Sequence, residues 1–201
     1  MAESIRVSYR IDAADRILTV DDGWVSFAEG NDGDQLLPPG ILGSLLWPWI
    51  ADSTTSQLYR DLIRRVRNGR GPVRFRFRCD APDERRLLQM QITSANGGEV
   101  QFETNLLVSQ PRPPVALLDS TAARSREPLT ICGWCMRIPD AFGTWLEIEM
   151  AIVRLELFEG RALPMLSHGM CPTCCDAMLT VVADPKLAAS GDVTVGPLRP
   201  T

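Results

Sequence analysis

The sequence predicts an α+β fold: an antiparallel sheet with flanking helices, followed by a small cysteine-rich module containing one amphipathic helix. Three observations carry this. Short runs of alternating or continuous apolar residues, the pattern of half-buried strands, recur through the first 108 residues. Between the second and third of them the period changes to that of a helix. Five of the six cysteines lie between Cys132 and Cys175, and the chain's one histidine, His168, lies among them.

The elements follow in order. Ile5, Val7, Tyr9 and Ile11 alternate with Arg6, Ser8, Arg10 and Asp12 and predict a first strand; Ile17 to Val20 predict a second. Asp21 or Asp22 caps a short helix carrying Trp24, Val25, Phe27 and Ala28. Residues 30–40 hold three glycines and two prolines and read as a loop. Leu45, Leu46, Trp47, Trp49 and Ile50 form an apolar turn interrupted by Pro48. A longer helix opens at Ser53, Thr54 or Thr55. Leu58, Leu62 and Val66 make its stripe, Ile63 widens it, and Asn68-Gly69 ends it.

After Gly71-Pro72, Val73, Phe75, Phe77 and Cys79 alternate with Arg74, Arg76 and Arg78. The apolar set should face the core and the arginines a solvated side. Leu88, Met90 and Ile92 predict the next strand, Asn96-Gly97-Gly98 a hairpin turn, and Val100, Phe102, Thr104 and Leu106 the last strand. Residues 1–108 thus form one unit. Residues 109–128, with four prolines, read as a linker in which Val115 to Leu118 pack as an extended strand. Residues 129–183 form the second module and 184–201 a flexible tail.

Cys132-Gly-Trp-Cys135 and Cys171-Pro-Thr-Cys174 are two CxxC pairs separated by 35 residues. Each CxxC turn sets two sulfurs on one side of a loop, and two turns supply the four soft ligands of tetrahedral zinc. The segment between them predicts a helix, with Trp145, Ile148, Ile152 and Leu155 on one face and Gly160 at its end. The metal would staple both ends of an excursion too small to hold a core alone. The preferred ligands are Cys132, Cys135, Cys171 and Cys174. His168, three residues before Cys171, is the alternative: it either replaces a cysteine as ligand or hydrogen-bonds to a thiolate. Cys175 starts a C-terminal helix. A redox dithiol is the competing reading of the pairs, but the thioredoxin-like frame it needs is missing.

Two resemblances add to this. Residues 4–108 resemble the sensory PAS domain in YRIDAADRILTVDDGW, in LLWPWI before the long helix, and in VRFRFRCDAPDERRLLQMQIT. The element order matches too: two strands, short helices, one longer helix, then a three-strand meander. The resemblance implies a cavity for a small ligand, with Phe75, Phe77 and Cys79 as candidate lining residues. Cys79 equally reads as an ordinary core thiol. PAS sensors with covalent flavin carry a cysteine in the region that here reads GSLLWPWIADS, and one haem type carries a histidine in the long helix; neither residue is present.

Within Ile131 to Cys174, ICGWCMRI, GTW, LEIEMAIVRLELF and SHGMCPTC resemble the cysteine-rich tail of many bacterial PAS-containing signalling proteins. The departure is Met136-Arg137, where that tail has two lysines. The resemblance implies a zinc-ribbon-like appendage to a sensor.

The functional expectation is a cytoplasmic signalling protein that is not an enzyme and acts by contact with a protein partner, as a homodimer. The alternative is a thiol–zinc redox sensor that releases its metal on oxidation. Composition narrows the field. A net charge of −4, and Arg137, Arg154 and Arg161 against six acids in the second module, argue against nucleic acid and anionic membrane as partners. No apolar run reaches the ~20 residues of a membrane span. No glycine-rich phosphate loop occurs, and the histidine-free N-terminal unit cannot build a Ser/His/Asp triad.

Overall fold

A computed structural model describes residues 6–31, 33–50, 52–158, 162–191 and 193; Ile5 and Gly160 lie outside them. The architecture is mixed α+β. Strands β1 (Arg6–Ile11), β2 (Ile17–Val20), β3 (Val73–Arg78), β4 (Glu84–Ser94) and β5 (Val100–Pro111) form one antiparallel sheet in the order β2-β1-β5-β4-β3. Local chemistry sets its hairpins. The Asp12 carboxylate accepts from the backbone of Ala14 and Arg16 at 2.8 and 2.9 Å to turn β1 into β2. Gly97 and Gly98, at φ +71° and +81°, turn β4 into β5.

Two helices precede β3. In α1 (Asp22–Glu29) the Asp21 carboxylate accepts from Trp24 N. In α2 (Ser53–Arg67) the Asp52 carboxylate accepts from Thr55 N, so the cap stands one residue ahead of the expected start. Leu58, Leu62, Ile63 and Val66 of α2 share one buried core with Val73, Phe75, Met90, Ile92, Val100 and Phe102 of the sheet.

The alternation along β3 ends differently from the sequence pattern. Val73 and Phe75 are buried as expected, but Arg78 is 2% exposed, and Cys79 just beyond is half-buried. Residues of the cysteine-rich segment cover this end of the strand. Arg78 N–H donates to the Trp134 carbonyl at 2.9 Å, and its guanidinium is saturated by Asp80 and by Glu147 at 2.6 Å. Desolvating the charge is tolerated because its fork is paired on both arms.

The stretch expected to be a linker is packed. β5 continues to Pro111, and Ala116–Leu118 form a single 3-10 turn with Leu117 fully buried, where an extended strand was expected. Arg112 donates to the Ala81 carbonyl at 2.7 Å and pairs with Asp80, so the backbone here is tied down. β6 (Arg124–Cys132) starts inside the same stretch.

The remaining elements are β7 (Ile138–Pro139), β8 (Trp145–Leu146), α3 (Ile148–Arg154), β9 (Leu163–Gly169), α4 (Pro172–Ala183) and α5 (Pro185–Ser190). The amphipathic helix between the cysteine pairs is shorter than its apolar pattern suggests, because Trp145 and Leu146 pair with Pro139 and Ile138 instead. Ile148 and Ala151 of α3 join Val115, Leu117, Ile131, Met136, Ile138 and Leu146 in a second, smaller core. α5 lies in the segment expected to be a flexible tail. It buries Ala188, and its neighbour Val193 accepts from Arg76 N at 2.9 Å. Among the described residues no helix is long and apolar enough to cross a membrane.

Candidate metal centre

Two short parallel strands bring the cysteine pairs together. β6 and β9 pair in register, Leu129 opposite Leu166, Ile131 opposite His168 and Cys132 opposite Gly169. Parallel strands need a long crossover connection. The segment carrying β7, β8 and α3 is that crossover, which accounts for the wide spacing between the two CxxC pairs. Both strands end at the same level, and each runs directly into its CxxC turn. Gly133 N–H donates to the Gly169 carbonyl at 3.0 Å and holds the turns side by side.

In the first turn Met136 N–H closes onto the Cys132 carbonyl at 2.8 Å, with Met136 itself at φ +61°. That left-handed conformation is uncommon for a residue with a side chain. In the second turn Cys171 is the N-cap of α4. Its sulfur accepts from Cys174 N at 3.4 Å, and Pro172 occupies the first helical position. Cys171 N–H in turn donates to the Cys132 sulfur at 3.4 Å. Backbone donors and the positive end of α4 therefore face the sulfurs and favour negative charge on them.

The four sulfurs of Cys132, Cys135, Cys171 and Cys174 all lie within 4.8 Å of one another, and all four residues are buried. Cys135 and Cys171 sulfurs are 3.7 Å apart. A disulfide would need about 2.05 Å, and two sulfurs bound at about 2.3 Å to one tetrahedral ion stand about 3.8 Å apart. All six cysteines are free thiols. The set can hold a metal ion.

The electrostatics agree with that chemistry. Hydrogen bonds from Cys135, Cys171 and Cys174 pull the Cys132 thiol far below its ordinary range. Hydrogen bonding to Cys132 and Cys171, together with burial, pushes Cys135 and Cys174 far above it. Four buried sulfurs in this space cannot all become thiolates unless a cation replaces their protons. Arg137 stands close enough to feel Cys135 and Cys171. Burial opposes its charge, but Glu147 at 3.0 Å and those sulfurs outweigh it and raise its pKa.

His168 lies outside the four-sulfur cluster. It is exposed on β9, with its ring beside Gly133. Cys175 sits one residue into α4 from Cys174 and faces a different groove, beside Leu58, Met170 and Leu179. Among the candidate lining residues, Phe77 borders two neighbouring cavities of about 420 and 230 Å³, and Cys79 borders the smaller. Burial raises the Cys79 thiol pKa, so it behaves as a quiet apolar group. Phe75 is fully buried against Trp134 and Phe77, with ring centroids 5.1 and 6.1 Å away.

Two features escape a reading of motifs. Trp134, inside the first CxxC, is 4% exposed and reaches into the sheet–helix core. Its indole N–H donates to Thr55 Oγ1 of α2 at 3.3 Å, and its ring packs on Tyr59 and Phe75. A bulky aromatic between two ligand cysteines was the available signal. The second is an ion-pair network running from Glu147 through Arg78, Asp80 and Arg112 to Glu149 and Arg85. Compared with known proteins, the chain matches no family model and no curated protein.

Proposed function

We propose that this chain is a sensory signalling protein: a PAS-like sheet unit carrying a tail stapled by structural zinc, acting through contact with a partner protein. The observation that carries the metal half is the set of four buried sulfurs within 4.8 Å of one another. Thiolate ligands, four-fold coordination and a dry surround are the chemistry of a closed structural zinc site. The PAS half is supported by the observed element order, two strands, short helices, one longer helix and an antiparallel meander. It is the same order on which the sequence resemblance rests.

Burial of all four sulfurs favours a structural ion over the redox-labile alternative, because oxidants act on accessible thiolates. We read the protein as a cytoplasmic, non-catalytic homodimer. Its one histidine is exposed on β9, outside the sulfur cluster.

Native mass spectrometry of the purified chain tests the reading. One zinc per chain, retained through peroxide treatment and removed only with loss of structure, is the expected result. Absence of stoichiometric zinc would remove the metal half. Zinc ejected by mild peroxide would transfer the reading to the redox sensor, and a monomeric mass at micromolar concentration would remove the homodimer.

A further inference from the structure

The larger cavity is walled jointly by the sheet unit and the cysteine turn. Rings of Tyr9, Trp24, Trp49, Tyr59, Phe77 and Trp134 line it, and Gly133 and His168 close one side. At about 420 Å³ it falls within the ~300–1,000 Å³ of small-molecule sites. Its polar groups divide cleanly. The three indole N–H groups are already used, by the Leu36 carbonyl, Ser44 Oγ and Thr55 Oγ1. The hydroxyls of Tyr9 and Tyr59 make no hydrogen bond to a described residue. Among the described residues no arginine or lysine lines the cavity, whereas the Asp52 carboxylate does.

We propose that this cavity binds an uncharged, planar aromatic molecule bearing a carbonyl or ring-nitrogen acceptor, and that its binding is linked to the metal centre through Trp134. The linkage half rests on the reading of the four cysteines as a metal site. Flat rings match the aromatic walls, and the tyrosine hydroxyls supply donors that only an acceptor satisfies. The Asp52 carboxylate, with no arginine or lysine among the described lining residues and only the exposed His168 at one side, disfavours anions. Trp134 lies inside the turn bracketed by Cys132 and Cys135, directly beside Cys135, so the ion that gathers those sulfurs also sets the position of this wall. A ligand that packs on the wall must then favour the metal-loaded turn, and by reciprocity the ion must favour the ligand.

The test uses the full zinc-loaded chain and three flat bicyclic probes: 2-quinolone, which carries a carbonyl acceptor; naphthalene, which carries none; and quinoline-2-carboxylate, an anion. Tryptophan fluorescence reads binding. The expected order is 2-quinolone, then naphthalene, with no saturable binding of the anion. Tyr59→Phe should weaken 2-quinolone about fivefold, the worth of one neutral hydrogen bond, and leave naphthalene unchanged. Saturating 2-quinolone should slow zinc transfer to a chromogenic chelator about fivefold, the lower end of ordinary coupling.

Equal binding of quinolone and anion would overturn the ligand class. An unchanged zinc-transfer rate under saturating quinolone would overturn the linkage, as would a Trp134→Ala chain that keeps its zinc and its quinolone affinity. A chain that carries no metal yet binds quinolone through Tyr59 would sink the metal reading and the linkage together, while supporting the ligand class.

Discussion

Cys132 stands directly opposite Gly169 in the parallel pair of β6 and β9. The residue that opens the first CxxC is thus level with a residue two positions before the second, and the sulfurs meet because two strands end together. Removing any one sulfur leaves three buried thiols around a weakened site. We expect Cys132→Ser or Cys174→Ser to abolish stoichiometric zinc and to cost about 4 kcal/mol or more, the scale of losing a structural metal. Cys175→Ser, outside the cluster, should keep full zinc and cost below about 1 kcal/mol. Metal content and urea unfolding of the three variants check this.

Arg78 is 2% exposed and bonds Asp80, whose side chain is fully buried. Arg78→Met keeps most of the volume but takes the closer of two guanidinium partners from that carboxylate, leaving Arg112 at 3.3 Å. We expect a loss of about 3–5 kcal/mol, the cost of breaking a buried pair from one side. Arg64→Met, on an exposed pair with Asp61, should change stability by less than about 1 kcal/mol. Chemical denaturation of both variants makes the comparison.

Burial works to raise the Glu147 pKa, but the Arg78 and Arg137 guanidinium groups outweigh it and hold the carboxyl below its ordinary range. Glu149 behaves the same way against Arg85 and Arg112. A carboxylate lowered on folding contributes stability above its unfolded pKa, near 4.3, and loses it as pH falls through the folded value. Stability should therefore decline below about pH 4.5, and Glu147→Gln should flatten that decline at equal metal loading. Urea midpoints from pH 6 to pH 3 measure it; parallel slopes in both proteins would contradict the assignment.

Gly23 sits in α1, where alanine is the better helix former by about 1 kcal/mol. A Cβ there would meet the Arg6 carbonyl oxygen of β1 at 1.8 Å. Close approach should win, and Gly23→Ala should destabilise by about 1–3 kcal/mol, the cost of overpacking. A thermal melt decides the sign.

Much of the sheet unit was legible locally. The alternation in Arg6–Ile11 and Val73–Arg78, the Asp21 cap and the glycines at 97 and 98 each act over a few residues, and the corresponding elements stand where those patterns place them. The apolar stripe of α3 misled, because Trp145 and Leu146 gain more from pairing with β7 than from a longer helix. The arginine alternation misled at Arg78: Asp80 is a local partner, but Glu147 and the Trp134 carbonyl reach it only through long-range packing.

By itself, the sequence determined which residue types are available: four cysteines in two CxxC pairs, period-2 strands, and a single histidine. Ligand type and local periodicity are short-range properties, so they survive without coordinates. Only the tertiary structure decided that β6 and β9 run parallel, and that Trp134 and the four clustered cysteines share one buried core with the five-stranded sheet and α2. Those outcomes depend on which surfaces far apart in the chain exclude water from each other. That choice belongs to the whole fold, and no local pattern encodes it.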